Sequence, residues 1–244
     1  MLLRRAMLGG RRKNMSKRCF ILFSLLLPLL ADDRSKTVVH AEQTAQYKIS
    51  GNAAIRLEHS YGDVDIEGWD KTGIEITAIR SSEQYFAERD VARARRRLDS
   101  VKISLRQDGN DVVVSTVYPA RNTFFHPLSR RSDVDIRYEI RAPRGSNLMI
   151  SHNNGSVNVS GIRGAIHATV INGEITLTLA PGAYAIDAQA SLGKIYSDFE
   201  GQDRIRRRLG EQFVHHASGG AAPELYLRTR IGDIVIFERN GPAD

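Results

Sequence analysis

Leu148-Met-Ile-Ser-His-Asn-Asn-Gly155-Ser-Val-Asn-Val159 is the stretch whose reading decides the fold. Leu148, Ile150 and His152 share one side of an extended chain, and Val157 and Val159 share one side beyond Gly155. Successive side chains of a strand point to opposite faces, so each half carries one inward row. The glycine between them removes the steric cost of a bend or a positive φ.

The same pattern recurs at Gly62-Asp-Val-Asp-Ile66, Gly173-Glu-Ile-Thr-Leu177, Gly193-Lys-Ile-Tyr-Ser197 and Gly232-Asp-Ile-Val-Ile236. Seven residues before the five glycines stand Ile55, Leu148, Ile166, Ile186 and Leu225. Five before stand Leu57, Ile150, Ala168, Ala188 and Leu227. Gly155 to Gly173 is 18 residues, Gly173 to Gly193 is 20, Gly193 to Gly232 is 39 and Gly62 to Gly155 is 93. Periods near 20 mark stacked units, none of which buries its apolar face alone. The expected fold is all-β, a short β-solenoid or curled sheet of glycine-cornered repeats. In chain order, Ile166, Ala168, Ile175 and Leu177 form one rung and Ile186, Ala188 and Ile195 the next.

Two insertions interrupt the repeats, at 69–147 and 202–222. In the first, Ile74 to Ile79 reads as a strand. Ala87, Val91, Ala94, Leu98 and Val101 recur at helical spacing within 83–100, with Arg89, Arg93, Arg96 and Arg97 opposite. That predicts one amphipathic helix in the N-terminal half. Val101–Arg106 and Val112–Tyr118 flank Asp108-Gly-Asn110, a hairpin pattern. Val134, Ile136, Tyr138 and Ile140 alternate up to Pro143, which lacks the donor to continue a strand. In the second insertion, Ile205, Leu209 and Phe213 predict a short helix over Arg204–Val214. Ala217 to Pro223 reads as a flexible link.

Residues 1–41 read as a secretory signal. Basic residues precede an apolar run from Cys19 to Ala31, the order of a charged region and a roughly 7–15-residue apolar region. The run is shorter than the ~20 residues of an ordinary membrane span. Either Met1 or Met15 is the start. Cleavage after Ala31 and after Ala41 both fit, and Val39-His-Ala41 is the better small-residue match. The remainder, 42–244, is expected to be one domain without a transmembrane segment. The first 41 residues hold nine of the 35 bases and two of the 28 acids, leaving 26 of each. The overall charge of +7 therefore belongs to the leader, and nucleic acid is not an expected partner. Cys19 is the sole cysteine, so the mature chain has no disulfide or thiolate metal site.

Tyr61-Gly-Asp-Val-Asp-Ile-Glu-Gly-Trp69, Asp133-Val-Asp-Ile-Arg-Tyr-Glu-Ile-Arg-Ala-Pro143, Asn153-Asn-Gly-Ser-Val-Asn-Val-Ser-Gly161 and Leu225-Tyr-Leu-Arg-Thr-Arg-Ile-Gly232 resemble the bacterial "putative adhesin" family, exported β-strand-repeat domains of unknown function. The resemblance covers nearly all of the mature chain. It implies an exported, envelope-associated β-repeat protein, and it carries over no catalytic residue.

Chemistry-bearing residues are few. His59 and His152 occupy the same repeat position and would stack; a ligand pair is conceivable, but hydrogen-bonded, partly buried imidazoles at one end of the stack are the expectation. His215 and His216 are adjacent and diverge on a strand. Asp63, Asp65, Glu67, Glu174 and Asp233 alternate with the inward residues and should face solvent. Arg121, Phe124, Phe125, His126, Arg130 and Arg131 form a basic, aromatic loop able to dock a partner, or to fold its rings onto the core. Arg93 to Arg97 and Arg204 to Arg208 are basic faces that could meet an anionic lipid or polymer. The expectation is a non-enzymatic, cofactor-free binding or structural module of the periplasm or cell surface. Its partner would be an envelope protein or surface polymer. The alternative is a small polysaccharide-acting β-helix enzyme, which would need a groove of convergent acids with stacking aromatics.

Overall fold

The computed structural model describes residues 36–49, 53–85, 88–117, 134–200, 203–217 and 222–239. The strands are β1 (Lys36–Tyr47), β2 (Ala54–Tyr61), β3 (Asp63–Trp69), β4 (Ile74–Tyr85), β5 (Lys102–Asp108), β6 (Asp111–Val117), β7 (Asp135–Pro143), β8 (Asn147–Asn154) and β9 (Val157–Ser160). They continue as β10 (Ile166–Asn172), β11 (Ile175–Leu179), β12 (Ala185–Leu192), β13 (Ile195–Ser197), β14 (Asp203–Arg206), β15 (Glu211–His215), β16 (Glu224–Ile231) and β17 (Ile234–Glu238). One helix, α1 (Glu88–Ser100), lies between β4 and β5. The described chain is thus almost wholly β, in two open sheets. Sheet A has the order β1-β4-β7-β3-β9-β11-β17-β13, and sheet B the order β14-β15-β12-β16-β10-β8-β2-β6-β5.

Each glycine pattern supplies one strand to each sheet. Ile55, Leu148, Ile166, Leu225 and Ile186 run across sheet B in register. Val64, Val157, Ile175, Ile234 and Ile195 do so across sheet A. All are buried in one cluster shared by both sheets. The alternation read from the sequence is therefore the inward direction of both strands.

The order of stacking differs from chain order. β16 lies between β10 and β12, and β17 lies between β11 and β13. Ile166 pairs with Leu225, and Leu225 pairs with Ile186. The rung next to Ile166 is therefore the last repeat, not the Ile186 repeat.

The corner glycines explain why this register holds. Gly62, Gly155, Gly173, Gly232 and Gly193 all have φ between +91° and +156°, backbone that a side chain disfavours. A Cβ on Gly155 would sit on the carbonyl oxygen of Gly62, one on Gly173 on that of Gly155, one on Gly232 on that of Gly173, and one on Gly193 on that of Gly232. The glycines form a ladder in stacking order.

The first insertion contains a further two-strand unit. β6 pairs parallel with β2 and β7 parallel with β3. Tyr138 of β7 is fully buried and shares a hydrogen bond with the Thr116 hydroxyl of β6 across the two sheets. Burial pushes the Tyr138 phenol up to about 12. Hairpin β5–β6 turns at Gly109, as expected. α1 buries Ala94 and Leu98 and leaves Arg93, Arg95 and Arg96 exposed. Its C-terminal carbonyls are capped from β4: Arg80 Nη1 donates to Leu98 O at 3.2 Å and Val101 O at 2.9 Å, a cation where the helix dipole is negative.

The expected helix over Arg204–Val214 is an antiparallel hairpin, β14–β15. The four-residue spacing of Ile205, Leu209 and Phe213 is a coincidence of side-chain type. Ile205 and Leu209 are exposed, and only Phe213 is buried.

Candidate functional site

Two surfaces gather polar side chains. The first is the outer face of sheet A. Glu139, Asp65, Asn158 and Thr176 stand in one row across β7, β3, β9 and β11, and Arg141, Glu67, Ser160 and Thr178 form the next. Neighbouring strands lie ~4.8 Å apart, so each row spans about 14 Å. Together they line a groove of about 350 Å³. Asn158 Nδ2 donates to Asp65 Oδ1 at 2.9 Å. Arg141 bridges Glu67 at 3.4 Å and Glu75 at 3.3 Å. Val235 and Phe237 continue the rows on β17, so an aromatic ring stands beside Thr178. Carboxylates, an amide, hydroxyls and a flanking ring are groups that hydrogen-bond and stack on polyhydroxylated ligands.

The turn acids divide into two kinds. Asp63 Oδ1 accepts from the Ser156 N–H at 3.1 Å, and Asp233 Oδ1 accepts from the Lys194 N–H at 2.8 Å. In both cases the residue after one corner glycine binds the backbone after the next, so these acids brace the stack. Asp65 and Glu67 line the groove. Glu174 is exposed and accepts from Thr176 at 2.8 Å.

The second surface is the end of the stack beyond β13. Glu211 accepts from the Ile195 N–H at 3.0 Å, and Arg204 Nη1 donates to Ile195 O at 3.1 Å. The pair takes the place of a missing strand on the edge of sheet A. Arg204 and Arg206 hold Glu211 at 2.9 and 3.2 Å. Burial opposes the Glu211 charge, but the Ile195 N–H and both guanidiniums outweigh it, so its pKa lies below the ordinary value. Beside this pair opens a groove of about 610 Å³ lined by Lys194, Tyr196, Arg207, Arg208 and Leu209.

The histidines do not converge. His152 is fully buried, and burial pulls its imidazole down to about 4. Its register partner on β2 is Ser60, because a bulge shifts the pairing after Glu58; equal repeat position does not stack His59 on His152. His215 donates from Nδ1 to Glu200 O at 2.6 Å, and His216 is exposed. Among the described residues, no group of three or more His, Cys, Asp or Glu could hold a metal ion. No helix among them is long and apolar enough to cross a membrane. The docking-loop residues Arg121, Phe124, Phe125, His126, Arg130 and Arg131 lie outside the described residues.

Sequence reasoning missed Glu139 and Arg141 as groove residues. Their alternation was legible, but not that β7 lies against β3.

The fold is similar to that of a "putative cell adhesion protein" from Clostridium sporogenes, at 10% identity over 82% of this chain and 100% of that one, with a TM-score of 0.51. At that identity the likeness is one of fold, and it bears out the adhesin-like β architecture read from the motifs. A "putative adhesin" from Bacteroides fragilis aligns at 10% identity over 83% of this chain and 98% of that one, with a TM-score of 0.23. A "putative lipid binding protein" from Parabacteroides distasonis aligns at 12% identity over 80% and 96%, also at 0.23. Scores that low carry no weight for fold or function. No family model and no curated protein matches the chain.

Proposed function

We propose that this chain is an exported, non-enzymatic envelope module that docks a polyhydroxylated surface polymer on the outer face of sheet A. The observation that carries this is the pair of registered polar rows, Glu139-Asp65-Asn158-Thr176 and Arg141-Glu67-Ser160-Thr178. A flat, repeating face matches a repeating ligand, with each strand offering one hydrogen-bonding group per row. The architecture is read as a short β-solenoid whose last turn sits inside the stack. The basic, aromatic 121–131 segment remains a second docking element of this proposal.

Export rests on the basic residues and apolar run that precede Ala31. β1 begins at Lys36 and pairs with β4 along its whole length, so the proposal places cleavage after Ala31, which leaves the strand intact. Periplasm or cell surface follows as the location.

The test is binding of the exported, processed chain to a panel of envelope polysaccharides, with turnover measured in parallel. Saturable binding that Asp65→Ala with Asn158→Ala weakens at least tenfold, without sugar release, is the expected result. Turnover abolished by changing Asp65, Glu67 or Glu139 would instead establish the polysaccharide-acting enzyme. Unchanged binding in the double variant would remove the groove from consideration.

A further inference from the structure

The turn of hairpin β14–β15 completes an apolar row that stays exposed among the described residues. Leu192 and Ile231 are register partners on β12 and β16. Leu209 adjoins them, its carbonyl accepting from the Gly193 N–H at 3.0 Å. Leu192 and Ile231 precede corner glycines and Leu209 sits in the hairpin turn beside them, and all are exposed: Leu209 is 65% exposed, Ile231 46% and Leu192 42%. The equivalent positions on β10 and β8 hold Asn172 and Asn154, which hydrogen-bond to each other at 2.7 Å. The change from amide to aliphatic along one row marks the apolar end as distinct from a solvated edge. Tyr196, 51% exposed, stands just past the same corner.

Cations rim this row. Arg207, Arg208, Lys194 and Arg230 are exposed, and no acid pairs with their side chains among the described residues. The nearest acids are engaged: Glu211 lies between Arg204 and Arg206, and Asp233 accepts from the Lys194 N–H. Six bases thus stand against two acids, although the mature chain as a whole is formally balanced. Exposed aliphatics ringed by unpaired guanidiniums match a bilayer whose headgroups are anionic: the side chains enter the acyl boundary while the charges meet phosphate. A soluble polyanion would engage the rim but gain nothing from the leucines. A protein partner's acidic face would not explain why three side chains project in one row at a corner, where they can enter a surface together.

We infer that the Leu209–Leu192–Ile231 corner is a peripheral docking site for anionic phospholipid bilayers. It seats the module on a membrane and leaves the outer face of sheet A free. The inference stands on its own observation and survives if that face binds no polymer.

Flotation of the exported, processed chain with phosphatidylglycerol-containing vesicles tests it, against phosphatidylcholine vesicles and free polyphosphate. Binding to the anionic vesicles alone is expected. Each basic residue near a charged surface contributes about fivefold, so Arg207→Ala with Arg208→Ala should weaken binding by about thirtyfold. Leu209→Ser should weaken it by about tenfold. These are exposed positions, and unchanged thermal melts would confirm that the variants fold. A fluorophore on Leu209→Cys, in a mature chain with no other cysteine, should shift to the blue on anionic vesicles. Equal flotation with neutral vesicles, a label that stays in water, or polyphosphate binding as tight as vesicle binding and indifferent to Leu209→Ser would each overturn the inference.

Discussion

Acid should loosen this protein chiefly through His152. Its imidazole is 1% exposed and packs in the row that Val170 and Thr229 continue. Burial holds its folded-state pKa at about 4, against ~6.5 in an unfolded chain. Above pH ~6.5 both states carry a neutral ring, and the residue imposes no penalty. As pH falls below that value, the unfolded chain takes up a proton that the native chain refuses. Stability therefore declines from pH ~6.5 to ~4 and then levels for this group. The gap of about 2.5 pH units corresponds to a total loss of about 3 kcal/mol, of which about 2 kcal/mol falls between pH 7.5 and 5. Urea unfolding at those two pH values measures it. Glu211 contributes in the same direction, its stabilisation fading as pH falls through its lowered pKa, so wild type alone does not isolate the histidine. His152→Val does, because valine already occupies the neighbouring site at Val170. The variant is expected to be less stable at pH 7.5, having lost the histidine's polar contacts. It should also lose about 2 kcal/mol less than wild type between the two pH values. If both chains lose the same amount, His152 is not the acid-sensitive group and the reasoning fails.

Gly155→Ala combines a φ of +123° with a Cβ placed on the Gly62 carbonyl oxygen. It should cost at least ~2 kcal/mol by chemical denaturation; a neutral result would refute the glycine ladder. Glu211→Ala removes the acceptor for the Ile195 N–H and leaves Arg204 and Arg206 without their anion. A loss of about 2 to 3 kcal/mol is expected, with faster hydrogen exchange at Ile195. Residues 36–41 form the first half of β1, so a chain starting at residue 42 should melt below one starting at residue 32. An exported N-terminus at residue 42 would refute cleavage after Ala31, and equal melting points would remove the structural reason for it.

The inward rows were legible because a strand's period of two leaves no ambiguity once a glycine fixes the phase. Ile166, Ala168 and Val170 are buried while His167, Thr169 and Ile171 are exposed, as alternation requires. Neighbours in the stack were not legible. Every unit presents the same aliphatic inward row and the same corner glycine, so nothing in the pattern tells Leu225 to lie beside Ile166 rather than beyond Ile186. The hairpin at 203–215 was misread for a related reason. With the charged residues at 204, 206, 207, 208 and 211, the remaining apolar residues happened to fall four apart, and an edge strand open to solvent has no inward row to betray it. The Asn158–Asp65 pair and the Glu139–Arg141 rows need β3, β7 and β9 to be adjacent, and those strands are 70 or more residues apart in the sequence at their widest.

The position of the last repeat follows from that hairpin. β15 pairs antiparallel with one side of β12, so only the other side of β12 remains for a parallel neighbour. β10 already has β8 on one side. β16 can therefore reach β12 only on its open side, and it lies there, paired with β12 on one side and β10 on the other. In sheet A, β17 lies likewise between β11 and β13. The C-terminal unit is thus interior to both sheets, β16 between β12 and β10 and β17 between β11 and the edge strand β13, and the edges at this end fall to the three-residue β13, braced by Glu211 and Arg204, and to the arginine-bearing β14. Short and charged edges resist pairing with other chains. An array stacked in chain order would tolerate trimming one unit at a time. Here, deleting 224–239 opens a gap inside sheet B, removes β17 from between β11 and β13, and leaves β12 and β13 with no parallel partner. The expected result is loss of cooperative unfolding for the whole domain, read by far-UV circular dichroism. A well-folded remnant with a graded drop in melting temperature would show that this interior unit is not required.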